Sequence, residues 1–221
     1  MKVYHIPPET KAILFDIDST LYTNAAYAYE QVDVQLRHFA EIRGLPYKEA
    51  KAKIDAYRQE YAKQHGGAKT SFGNTLAAFG IPIEESIRWR EKLINPADYL
   101  EYDGTLVKTM EDLAQNYKIA AVTNNPLAPA KKTLEVLGVI SFFDEIVALD
   151  TCCVSKPHRL PYETAANHLS VRVEECLSVG DRYDIDLAVP LEMGMGGILV
   201  SGVKDVYELP HLLKNAETSP A

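Results

Sequence analysis

Two aspartates one residue apart, Asp16 and Asp18, end a short apolar run, Ala12-Ile13-Leu14-Phe15. Carboxylates that close repel one another unless a cation or a proton neutralises them, so the pair predicts a metal or a shared proton. Further along, Thr123 closes the run KIAAV, Lys156 stands in a loop before Pro157, and Asp181, Asp184 and Asp186 follow the run CLSV. Aspartates, a hydroxyl and a lysine together suit phosphoryl transfer. In that chemistry a metal, a lysine and backbone N–H groups hold the phosphoryl oxygens while a carboxylate attacks phosphorus.

These residues must be brought together by the elements that carry them. Residues 12–15 read as a strand buried on both faces of a parallel sheet, with Asp16 and Asp18 emerging at its carboxyl end and pointing the same way. Further strands are expected at 118–123, 145–149, 176–179 and 197–200, alternating with helices at 106–116, 126–137, 161–169 and 205–215, the last followed by a polar tail. Strands alternating with helices give an α/β fold, a three-layer parallel sheet of Rossmann-like type. The carboxyl ends of its strands open onto one edge, where residues far apart in sequence converge.

Between the first and second strands the pattern is wholly helical, with helices expected at 25–43, 47–64, 75–79 and 83–93. The chain is therefore divided into an α/β core, 1–22 and 99–221, and an inserted helical cap domain, 23–98. Tyr27, Tyr29, Tyr47, Tyr57, Tyr61 and Trp89 are assigned to the packing of that insertion.

The chain has 221 residues, is 47% hydrophobic and carries a formal net charge of −8. That balance gives no general attraction to nucleic acid or to an anionic membrane, so an anionic substrate must be drawn by local groups. No apolar run approaches a membrane span, and MKVYHIPPET, broken by two prolines, does not resemble a signal peptide. A cytoplasmic protein is expected. Cys152, Cys153 and Cys176 show no metal spacing and read as reduced, mostly buried small hydrophobes.

With these residues in order, the sequence resembles the haloacid dehalogenase-like (HAD) hydrolases over nearly its whole length. FDIDST is similar to the first family motif, AVTNN to the second, SKP to the third and VGDRYDID to the fourth. The resemblance implies that Asp16 is the nucleophile that becomes an aspartyl phosphate and Asp18 the acid/base. It implies that Thr123 and Asn124 bind the phosphoryl group, with Lys156 neutralising charge. It also implies a Mg2+ ion held by Asp16, the main-chain carbonyl of Asp18 and Asp181, with Asp186 holding a metal-bound water. Which of Asp181, Asp184 and Asp186 touches the metal stays open. Ser19 stands where many relatives have glycine or asparagine.

Asp18 discriminates between the family's reactions, because an alkoxide leaving group needs a proton that a halide does not. The reading is a phosphomonoester hydrolase acting on a small phosphorylated metabolite. Its insertion, from His65-Gly66 through Thr75-Leu76 and on to INPADYL, is similar to that of pyrimidine 5′-nucleotidase-like members, though GGAKTSF adds residues. A nucleoside monophosphate is thereby expected, with sugar phosphates and pyridoxal phosphate close behind. The alternatives are a sugar phosphomutase of the same fold and a non-catalytic phospho-acceptor or regulatory relative. The linkers at 21–24 and 97–104 are expected to let the cap open and close.

Overall fold

The computed structural model describes residues 1–67 and 70–218, and two compact units account for them, Met1–Asn24 with Pro96–Ala221 and Ala25–Asn95. The first is built on a six-stranded sheet in the order β1-β6-β5-β2-β3-β4. Its strands are β1 Lys2–His5, β2 Ala12–Phe15, β3 Lys118–Val122, β4 Glu145–Val147, β5 Cys176–Gly180 and β6 Gly196–Leu199. Strands β2 to β6 run parallel, with β2 flanked by β3 on one side and β5 on the other.

The apolar runs explain that order. All four residues of β2 and all five of β5 are buried, as expected of central strands covered by helices on both faces. Strand β1 departs from the expected five. It pairs antiparallel with β6, and its four residues are all exposed. An edge strand of four residues, soon followed by Pro7 and Pro8, leaves no buried run to read.

The helices of this unit are α5 Gly104–Ala114, α6 Leu127–Leu137, α7 Leu149–Cys152, α8 Leu160–His168, α9 Ala188–Glu192, α10 Val203–Val206 and α11 Leu209–Thr218. Asp103 caps α5, accepting hydrogen bonds from the N–H groups of Thr105 (3.0 Å) and Leu106 (2.9 Å). Gly138 ends α6 in the left-handed region, φ 81°. The helix expected at 205–215 is two elements, and part of the expected polar tail continues α11 to Thr218. Residues 219–221 of that tail lie outside the described residues. The segments that leave and re-enter this unit are tied where the Asn24 amide donates to the Tyr99 carbonyl at 2.7 Å.

The second unit contains α1 Ala25–Ile42, α2 Tyr47–Gln64, α3 Phe72–Ala78 and α4 Ile83–Leu93. Leu36, Phe39, Ile54, Phe72, Leu76 and Trp89 form its buried core. The Ser71 side chain caps α3, which starts earlier than the hydrophobic spacing suggested. Tyr27 and Trp89 are buried, whereas Tyr29 is 62% exposed and uses its hydroxyl on Asp33. The GGAKTSF stretch includes Ala68 and Lys69, which lie outside the described residues. No described helix is long and apolar enough to cross a membrane. Of the cysteines, Cys176 is buried, Cys152 partly so, and Cys153 is exposed against expectation.

Candidate active site

Strand β2 delivers Asp16 at its carboxyl end, where the Asp16 N–H continues the sheet by donating to the Val179 carbonyl at 2.9 Å. The chain then turns sharply. Ser19 takes φ 59°, and the N–H groups of Thr20 and Leu21 both donate to the Ile17 carbonyl. Glycine and asparagine enter the left-handed region more readily than serine, so Ser19 holds this turn at some backbone cost.

Neighbouring β5 ends in Gly180, and Asp186 folds back over it. A Cβ added to Gly180 would lie 2.4 Å from the Cβ of Asp186 and 2.6 Å from its Cγ, so only glycine admits this approach. Residues Tyr183–Leu187 form one wide π-helical turn, which reaims the acids that follow Asp181. Asp186 is buried and Asp184 is not. The Asp184 carboxylate is 70% exposed and pairs with Arg182 at 3.1 Å.

Three carboxylates converge. One oxygen from each of Asp16, Asp181 and Asp186 lies within 4.8 Å of the others, a group able to hold a metal ion. Lys156 bridges two of them, its Nζ donating to Asp16 Oδ1 and to Asp186 Oδ1 at 2.7 Å each. The second oxygen of Asp186 accepts the Arg182 N–H at 3.0 Å. One ammonium among three carboxylates leaves uncompensated negative charge in a largely buried place. Burial raises the Asp16 pKa to about 8 against the pull of Lys156, with Asp186 and Asp18 adding to the rise. Burial and the charge of Asp186 raise Asp181 to about 6, against Arg182 and Lys156. Burial alone works against the Lys156 charge, but Asp16 and Asp186 outweigh it and hold the ammonium protonated. The donor set is all oxygen, crowded and short of positive charge, which fits a hard divalent cation.

The other expected residues take distinct places. The Asp18 carboxylate is held by two donors, the Tyr22 hydroxyl on Oδ1 at 2.5 Å and the Asn125 amide on Oδ2 at 2.6 Å. Thr123 is buried at the end of β3, and its hydroxyl accepts the Asn125 N–H at 3.1 Å. Asn124, expected on the phosphoryl group, turns its side chain to the backbone of Lys156, accepting its N–H at 2.7 Å and donating to its carbonyl at 3.1 Å. It thereby fixes the loop that presents the lysine. Tyr22 and Asn125 were not among the expected site residues. Tyr22 follows Asp18 by four positions, and Asn125 completes the polar cluster after β3, which is the signal that marks them.

Comparison with known proteins settles the family. The profile of the haloacid dehalogenase-like hydrolases matches residues 10–194. The chain belongs to this family. Its place among the HAD-like hydrolases makes it a hydrolase, and the matched span contains every residue of the cluster. The chain is 26% identical over 215 residues to the glyceraldehyde 3-phosphate phosphatase of Methanothermobacter thermautotrophicus, covering 93% of this chain and 92% of that one. It is 30% identical over 196 residues to the enzyme of the same name from Methanopyrus kandleri, covering 84% and 81%. Among solved structures, a HAD phosphatase from Thermococcus onnurineus shares the fold with a TM-score of 0.63 at 19% identity, covering 92% of this chain and 98% of that one.

Proposed function

We propose that this HAD-like hydrolase is a magnesium-dependent phosphatase that cleaves small phosphomonoesters through an aspartyl phosphate on Asp16. The observation that carries the reading is the Lys156-bridged convergence of Asp16, Asp181 and Asp186 at the carboxyl edge of a parallel sheet. Asp16, the Asp18 carbonyl and Asp181 would hold the ion, with Asp186 beside it. When bound, magnesium supplies charge to stabilise the phosphoryl oxygens in the transition state.

The chain's own residues do the rest. A carboxylate oxygen of Asp16 forms a bond to phosphorus as the ester P–O bond breaks, and the leaving alkoxide takes a proton from Asp18. Asp18 then accepts a proton from the water that attacks phosphorus, releasing inorganic phosphate and restoring the Asp16 carboxylate. The Lys156 ammonium and the Thr123 hydroxyl hold phosphoryl oxygens, and Asn124 keeps Lys156 in place through its backbone.

The substrate we assign is a small phosphorylated metabolite. Two relatives named for glyceraldehyde 3-phosphate put a three-carbon phosphate ahead of the nucleoside monophosphate suggested by the insertion. The test is phosphate release from glyceraldehyde 3-phosphate, nucleoside monophosphates, sugar phosphates and pyridoxal phosphate, with and without magnesium. Turnover should require the ion and fall by at least about 10³-fold in Asp16→Asn, on the scale of losing a catalytic nucleophile. Magnesium-independent turnover, or an active Asp16→Asn variant, contradicts the mechanism. Conversion of one sugar phosphate into its isomer without phosphate release would favour the mutase instead.

A further inference from the structure

The second aspartate of the pair is held too, and two of its partners are a tyrosine hydroxyl and an amide. Both oxygens of the Asp18 carboxylate accept hydrogen bonds, from the Tyr22 hydroxyl at 2.5 Å and the Asn125 amide at 2.6 Å. The Tyr22 ring is buried at 3% exposure, so its hydroxyl cannot follow a wandering carboxylate. Asn125 is anchored in turn. Its N–H donates to the Thr123 hydroxyl at 3.1 Å, and its carbonyl accepts the Leu149 N–H at 3.0 Å. The orientation of Asp18 is therefore set from two different segments, the turn after β2 and the end of β3, and the second of these also carries Thr123.

We infer that Tyr22 and Asn125 are positioning residues that hold the Asp18 carboxyl group in the orientation needed to pass its proton to the leaving oxygen. The inference rests on the phosphatase reading and deepens it. A carboxylic acid delivers a proton efficiently only within hydrogen-bond reach of the atom that receives it, so freeing its rotation costs rate. Both partners can serve the two states of Asp18. A tyrosine hydroxyl donates to a carboxylate oxygen and can accept from a carboxylic O–H, whereas an amide NH2 only donates. Asn125 thus reserves Oδ2 as an acceptor, leaving Oδ1, on the Tyr22 side, as the oxygen that carries the proton. In the transfer the Asp18 Oδ1–H bond breaks, the proton goes to the leaving alkoxide, and the Tyr22 hydroxyl keeps its own proton throughout.

Leaving-group dependence separates this role from a structural one. A phenolate such as p-nitrophenolate leaves with little need of an acid, and an alkoxide does not. For the magnesium-loaded wild type, Tyr22→Phe, Asn125→Ala and Asp18→Asn, kcat/KM is measured on p-nitrophenyl phosphate and on an alkyl phosphate drawn from the active panel. The aryl-to-alkyl ratio should rise about tenfold or more in Tyr22→Phe and Asn125→Ala and further in Asp18→Asn, since general acid catalysis is worth about 10²–10⁴-fold. Magnesium affinity by titration calorimetry should stay within about twofold, because neither residue belongs to the carboxylate cluster. If Tyr22→Phe does not fold, Asn125→Ala alone carries the comparison. An unchanged ratio in the folded variants, with a raised ratio in Asp18→Asn, overturns the inference. An unchanged ratio in Asp18→Asn removes the proposed role of Asp18, and the inference falls with it.

Discussion

Asp16 and Asp18 begin alike in the sequence and end in different surroundings. Asp16 faces a lysine and two further carboxylates, whereas Asp18 faces a tyrosine and an amide. This difference fits one acid for attack and metal binding and the other for proton transfer. It also makes metal binding dependent on pH. With its pKa raised to about 8 in the metal-free protein, Asp16 holds a proton through neutral pH, and a divalent ion must displace it. Magnesium affinity should therefore rise with pH from about 6, where Asp181 titrates, and level off above about 8. Calorimetric titrations across that range check it, and an affinity that falls or stays flat contradicts it. The same shift has the opposite sense for the metal-free fold. A folded-state pKa above the unfolded value of about 3.9 means that stability present below that value is lost as pH rises towards about 8.

At the scale of elements, the site depends on how two strand ends are finished. Strand β2 ends in a left-handed turn at Ser19, and β5 ends in a glycine over which Asp186 lies. Gly180→Ala should push Asp186 aside, since the new methyl would sit 2.4 Å from the Asp186 Cβ. We expect at least about a tenfold loss of magnesium affinity, within the range for disturbing a ligand's support, in a protein whose circular dichroism is unchanged. Retained affinity would show that the Asp186 position does not matter to the ion. The central strands were legible in the sequence because buried parallel strands are continuous apolar runs closed by polar residues. The edge strand β1 was not, because its exposed residues carry no burial signal. The π-helical turn at Tyr183–Leu187 was likewise hidden, as it goes with hydrogen bonds that Asp186 makes outside the turn, its carboxylate accepting from Lys156 and its carbonyl from the Ser178 hydroxyl. Asn124 shows what a single residue's type leaves unsaid. Its type and position suit phosphate binding, and the fold adds that its side chain bonds the backbone of Lys156.

The whole molecule divides into two compact units with separate cores, and their stabilities should be separable. The chain's single tryptophan, Trp89, is buried in the helical unit, so its fluorescence reports that unit alone. Leu76, fully buried in the same cluster, offers the perturbation. Leu76→Ala should destabilise the helical unit by about 2–5 kcal/mol. The tryptophan transition should then move to lower denaturant, ahead of the sheet signal in circular dichroism. Coincident transitions in the variant would show that the units unfold as one. The central claim, however, concerns a bond on one side chain. The most direct measurement is rapid acid quench of the magnesium-loaded enzyme during turnover, followed by mass spectrometry of its peptides. The account predicts one added phosphoryl group on the peptide containing Asp16, absent in Asp16→Asn. A phosphoryl group on any other residue, or continued turnover by Asp16→Asn without one, would contradict it.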